Sequence, residues 1–165
     1  MPSFETSRNV RYSTGEMFDL VADVEQYPQF LPLCTGLAVR SRSTDDNGRE
    51  VLVAIMSVGY KAIRERFTSK VTLDREAMDI LVEYVDGPFK RMENRWTFRP
   101  DPERPGGSTI GFQIDYEFRS RTLSMVMGAV FERAFRRFAE AFEERADALY
   151  GDGANRGSAG GGTVL

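Results

Sequence analysis

Val130-Phe131-Glu132-Arg133-Ala134-Phe135-Arg136-Arg137-Phe138-Ala139-Glu140-Ala141-Phe142 is the stretch that decides the fold. Its apolar residues recur three and four apart, the spacing of one helical face. The pattern runs on in both directions, through Leu123, Val126, Met127, Val130, Phe131, Ala134, Phe135, Phe138, Phe142, Ala146 and Leu149. Glu132, Arg133, Arg136, Arg137, Glu140, Glu143 and Glu144 take the other face. The spacing predicts one helix from about Thr122 to Tyr150, about 43 Å long. So long an aromatic stripe must be covered by a broad apolar surface.

The upstream sequence supplies strands. Phe4, Thr6, Arg8, Val10 and Tyr12 alternate with Glu5, Ser7, Asn9 and Arg11, and a short helical segment follows from Gly15 to Val21. Asp23 to Tyr27 reads as one more turn, stopped by Pro28. Strand-like runs then cover about Gly36–Ser43, Val51–Val58 and Lys61–Leu73, with a hairpin turn at Asp45-Asp46-Asn47-Gly48. Met78, Ile80, Val82 and Tyr84 mark another run. Met92, Asn94, Trp96 and Phe98 alternate cleanly with charged or polar neighbours, as do Ile110, Phe112, Ile114, Tyr116 and Phe118. The fold class is α+β: a curved antiparallel sheet of six or seven strands around one long C-terminal helix, with short helices after the first strand. The expected organisation is one domain over residues 1–150. A disordered, Gly-rich tail over 151–165 is too poor in apolar residues to offset the entropy of ordering.

Composition narrows the chemistry. The 165 residues contain no histidine, which removes Ser-His-Asp and Cys-His catalysis and His-ligated metals. Cys34 is the single cysteine, so neither an intrachain disulfide nor a multi-cysteine metal site can form. The net charge of −3 argues against a protein that coats DNA by bulk electrostatics. No signal peptide and no membrane-spanning run is visible, and the reducing cytosol is the expected home. No catalytic group and no metal ligand set is expected, and these exclusions favour a binding protein over an enzyme.

A sheet wrapped around one helix leaves room for an internal apolar cavity. From the sheet, Val53, Ile55, Phe67, Tyr84, Asn94, Trp96, Phe112, Ile114 and Tyr116 are the candidate ligand-binding residues. From the helix, Val130, Phe131, Ala134 and Phe138 complete the set. Each also reads as ordinary core. Asn94 and Tyr116 share faces with aromatic neighbours, and as buried polar groups they need partners. They either satisfy one another and nearby backbone or present hydrogen bonds to the carbonyl oxygens of a flat apolar ligand. The run Leu123 to Val130 is apolar around much of its circumference and contains Gly128. It is either buried core or a lid or membrane-touching lip over the cavity mouth.

Several blocks together resemble a known family. Asp23-Val24-Glu25-Gln26-Tyr27-Pro28-Gln29-Phe30-Leu31-Pro32-Leu33-Cys34 resembles the signature of the coenzyme Q-binding, START-like proteins of the polyketide cyclase/dehydrase superfamily. Val58-Gly59-Tyr60-Lys61-Ala62-Ile63-Arg64-Glu65-Arg66-Phe67-Thr68-Ser69 is similar to a second block of that family. Gly87-Pro88-Phe89-Lys90 with Asn94 and Trp96, Asp115-Tyr116-Glu117-Phe118-Arg119-Ser120, and Ala141-Phe142-Glu143-Glu144-Arg145-Ala146 complete the set. Leu33 departs from the family pattern, which favours an aromatic before the cysteine. The resemblance covers residues 3 to about 151. It implies the helix-grip fold (START/Bet v 1-like) and non-catalytic binding of ubiquinone or a related polyprenyl lipid. The implied role is in quinone biosynthesis or in delivery to the respiratory chain, with ubiquinone as bound ligand and peripheral contact at the inner membrane.

The same resemblance takes in a bacterial subfamily of ribosome association toxins, which implies the large ribosomal subunit as an alternative partner. That alternative expects a contiguous arginine surface from Arg133, Arg136 and Arg137 with Arg64 and Arg66. A cyclase-like enzyme is the third reading and requires a titratable group beside the ligand. With no histidine to activate it, Cys34 is expected to be silent in function. Cys34→Ser should retain ligand binding in a titration even if its thermal midpoint falls, and loss of binding in a folded variant would point to thiol chemistry.

Overall fold

The computed structural model describes residues 3–151 and shows one seven-stranded sheet in the order β1-β7-β6-β5-β4-β3-β2, antiparallel at every pairing. β1 (Ser3–Val10) leads through α1 (Thr14–Ala22) and a 3-10 helix (Val24–Gln29) to β2 (Cys34–Thr44). A meander follows: β3 (Glu50–Tyr60), β4 (Ile63–Asp74), β5 (Asp79–Asp86), β6 (Phe89–Pro100) and β7 (Ser108–Phe118). The long helix α2 (Arg121–Tyr150) closes the chain and lies in the curve of the sheet. This is the helix-grip architecture. Of the expected tail, only Gly151 is among the described residues.

Local chemistry explains the element ends. Ser13 caps α1: its hydroxyl accepts from the Glu16 amide while the Glu16 carboxylate accepts from the Ser13 amide. The helix therefore begins one residue earlier than the expected Gly15. Pro28 does not stop the second helical segment but sits inside it, which the short 3-10 helix tolerates. Ser120 caps α2, accepting from the Leu123 amide at 3.1 Å. Gly87, at φ 145°, makes the β5–β6 turn, where an added Cβ would sit 2.5 Å from the Cβ of Phe67.

Aromatic contacts join helix to sheet. Phe142 is fully buried and meets Trp96 of β6 with ring centroids 5.0 Å apart. It also meets Tyr27 of the 3-10 helix and Phe30 just after it, at 5.4 and 5.1 Å. Phe135 packs on Tyr116 and Phe112, and Phe131 on Phe118 and Phe89. Polar tethers secure the other side: Arg8 of β1 pairs with Glu143, and Tyr12 donates to Asp147. The stripe is not buried along its whole length. Val126 and Leu149, expected on the inner face, are 51% and 52% exposed near the two ends of α2. Met127 and Val130 are buried, so the Leu123–Val130 run divides between core and surface.

Phe142 joins three elements at once. Phe142→Ala is expected to lower unfolding stability by about 3–5 kcal/mol in chemical denaturation. A cost below about 1 kcal/mol would mean that helix and sheet are held by other contacts.

Candidate functional site

Between α2 and the concave face of the sheet lies an apolar cavity of about 100 Å³. Pleating decides which side chains reach it, because alternate residues of each strand face the helix. On β6 and β7 the inward rows are Met92, Asn94 and Trp96 facing Phe112 and Ile114. On β4 and β5 they are Phe67, Ser69 and Val71 with Ile80 and Val82. From α2 come Phe131, Ala134, Phe135, Phe138 and Phe142. The 3-10 segment and the turn after it add Val24, Tyr27, Leu31, Pro32 and Leu33.

Eight of the expected residues thus line one chamber: Phe67, Asn94, Trp96, Phe112, Ile114, Phe131, Ala134 and Phe138. Five do not. Val53 and Ile55 lie in the outward rows of β3, opposite Lys70 and Thr68, while Leu52, Ala54, Met56 and Val58 face in. Tyr84 shares the inward row of Ser69 but sits outside the chamber, where its hydroxyl accepts from the Phe89 amide. Tyr116 and Val130 are buried in the core beside the chamber rather than in its wall.

Asn94 takes internal partners, and those bonds leave part of its capacity unused. Its Nδ2 donates to the Gln113 carbonyl at 2.9 Å, and its Oδ1 accepts from Trp96 Nε1 at 3.1 Å. The second Nδ2 hydrogen and one Oδ1 lone pair remain after those bonds are made. Ser69 is the polar wall residue that the sequence reading missed. It is 6% exposed, and its hydroxyl makes no hydrogen bond among the described residues. Its position midway between the inward residues Phe67 and Val71 was the available signal. Ala54 stands opposite Ser69 on β3, and this small pair contributes to the open space.

The described wall contains no Asp, Glu, Lys or Arg. Its one phenol, Tyr27, donates to the Val21 carbonyl, and burial pushes its pKa far up. Cys34 is buried near the mouth, where burial raises its thiol to about 11 and Sγ donates to the Gly36 carbonyl at 3.5 Å. Such a thiol is protonated at neutral pH. Leu33 holds φ 70°, in the left-handed region, and its carbonyl accepts from the Gly59 amide at 3.0 Å, joining the chamber lip to the end of β3. What the arrangement offers is an apolar enclosure with two hydrogen-bonding side chains.

The chain is similar to several known proteins. The chain is 34% identical over 150 residues to the ribosome association toxin RatA of Escherichia coli, spanning 91% of this chain and 90% of the relative. It is 28% identical over 148 residues to a mitochondrial coenzyme Q-binding protein of Dictyostelium discoideum, spanning 89% of this chain and 70% of the relative. The solution structure of an 18 kDa protein from Caulobacter crescentus superposes with a TM-score of 0.74 at 32% identity, over 92% of this chain and 99% of that one. Residues 10–143 match the family model described as polyketide cyclase / dehydrase and lipid transport. With that match spanning the strands and most of the helix that enclose the cavity, the chain belongs to the polyketide cyclase / dehydrase and lipid transport family.

Proposed function

We propose that the protein binds a polyprenyl quinone, ubiquinone or a close analogue, as a carrier without catalysis. The observation that carries this reading is the chamber: apolar walls, an aromatic lining and the two polar side chains Ser69 and Asn94. A quinone ring is flat and apolar with carbonyl oxygens that only accept. The unpartnered Ser69 hydroxyl and the second Nδ2 hydrogen of Asn94 are donors suited to them. The kinship with a protein named for binding coenzyme Q supports the same ligand class.

The chamber's size adds a requirement. An apolar cavity of about 150 Å³ accommodates benzene, and pockets for drug-sized ligands run from roughly 300 to 1,000 Å³. At about 100 Å³ the chamber is narrower than a substituted quinone ring needs, so α2 must part from the sheet or from the Leu31–Leu33 lip to admit it. The cyclase-like reading needs an acid or base beside the ligand, and the described wall offers only the sequestered Tyr27.

The ribosome-directed reading draws on the identity to RatA. Its expected arginine surface is weakened on the helix, where Arg136 pairs with Glu132 at 2.9 Å and Arg137 with Glu140 at 3.9 Å.

Two substitutions test the carrier reading against a soluble short-chain quinone, with emission from Trp96, the only tryptophan, as the readout. Ala134→Phe fills the chamber and should abolish quenching while costing less than the ~1–3 kcal/mol of an overpacked core. Ser69→Ala removes a hydroxyl with no protein partner. It should weaken binding about fivefold and leave stability unchanged. Normal quenching in a stable Ala134→Phe protein would place the ligand elsewhere. Strong destabilisation by that variant would mean that the site is packed core.

A further inference from the structure

We propose that the end of the molecule bearing the start of α2 is a docking surface for an anionic lipid bilayer, an inference that rests on the carrier reading above. The strand directions put the β3–β4 hairpin, the β5–β6 turn, the β7 end and the α2 start together at this end. The backbone joins two of them directly, since the Arg119 amide donates to the Pro88 carbonyl at 2.8 Å.

Three features converge here. The first is exposed apolar surface. Met125 is 80% exposed, Val126 51% and Val85 56%, and each lies on an element that begins or ends here. Residues of this kind anchor peripheral proteins by entering the headgroup–acyl boundary. No helix of the described chain is long and apolar enough to cross a membrane, so any contact made by α2 is superficial.

The second is polarised charge. The segments 59–66, 85–91 and 117–122 at this end hold seven cations and three acids, in a chain whose net charge is −3. At the opposite end, segments 45–50, 74–79 and 99–105 hold eight acids and four cations. Most of the cations at the α2 end are also not held in ion pairs. Lys90 and Arg91 share Glu117 at 3.9 and 3.6 Å, whereas Lys61, Arg64, Arg66, Arg119 and Arg121 make no ion pair among the described residues. Arg121 is the clearest case. It is the first residue of α2, a turn with no acidic residue, where the helix dipole disfavours a cation.

The third is continuity with the chamber. The partly buried wall residues Pro32, Leu33 and Phe67 lie near the β2 and β4 starts, at this same end. The fully buried wall residue Phe142 lies deeper, along the second half of α2. A bilayer seated here faces the side on which the chamber approaches the surface.

The test is co-sedimentation with phosphatidylcholine vesicles, with and without phosphatidylglycerol. The full chain should bind the phosphatidylglycerol vesicles and bind the neutral ones weakly. Arg121→Glu reverses two charge units and should weaken that binding by more than the roughly fivefold that one cation near an anionic surface contributes. It should also raise the thermal midpoint by relieving the helix dipole. Met125→Glu with Val126→Glu should weaken binding about tenfold or more by removing buried apolar area. Both variants should still show Trp96 quenching by the short-chain quinone, since neither residue lines the chamber. Vesicle binding unchanged in both variants would overturn the proposal. So would salt-sensitive binding to ribosomal subunits without vesicle binding, which would assign the cations to RNA. Vesicle binding that persists in a protein that takes up no quinone would uphold the docking surface and overturn the carrier reading.

Discussion

Covering the aromatic stripe of α2 is the constraint on which the rest of the structure depends. A 30-residue helix with phenylalanines at 131, 135, 138 and 142 cannot leave them in water. A sheet whose strands twist relative to one another supplies a concave face to receive them. Where large rings meet, as Phe142 meets Trp96, helix and sheet touch. Where small residues stand, Ala134 on the helix and the Ala54–Ser69 pair on the sheet, contact is incomplete and the chamber opens. The void opens where three small side chains stand in a wall otherwise built mostly of aromatic and larger aliphatic residues.

Polarity in that wall is sparse and differs in kind. The Asn94 amide already serves Trp96 and the β7 backbone, so it orients the indole as well as facing the chamber. The Ser69 hydroxyl serves nothing else among the described residues. A hydroxyl with no protein partner on the cavity wall can donate to an accepting ligand without giving up a bond already made. With no charged side chain in the described wall, the chamber is suited to holding a neutral molecule.

How far this was legible in the sequence depended on contrast between the two faces of each element. β6, β7 and α2 alternate apolar with polar or charged residues, and their inward rows agree with the structure at Asn94, Trp96, Phe112, Ile114, Phe131, Ala134 and Phe138. β3 has little such contrast, because Val51 to Val58 is apolar at nearly every position. Either phase fits such a run, and Val53 and Ile55 proved to lie outside. Only pairing with β4, whose charged Arg66 and Lys70 must face solvent, fixes that register. Tyr84, Tyr116 and Val130 face inward as their phase implied, yet the cavity occupies only part of the interior. Periodicity gives the face of a residue but not its distance from a void. For Ser69 the reason is simpler: a hydroxyl in an apolar row gives no sign in the sequence that it faces a void rather than a hydrogen-bond partner.

The central claim is that the chamber carries a polyprenyl quinone. Organic extraction of the protein purified from its native host, followed by mass spectrometry, tests it most directly. The account predicts a polyprenyl quinone recovered in near-stoichiometric amount and released on unfolding. Extracts free of quinone, from protein that instead sediments with large ribosomal subunits, would contradict it.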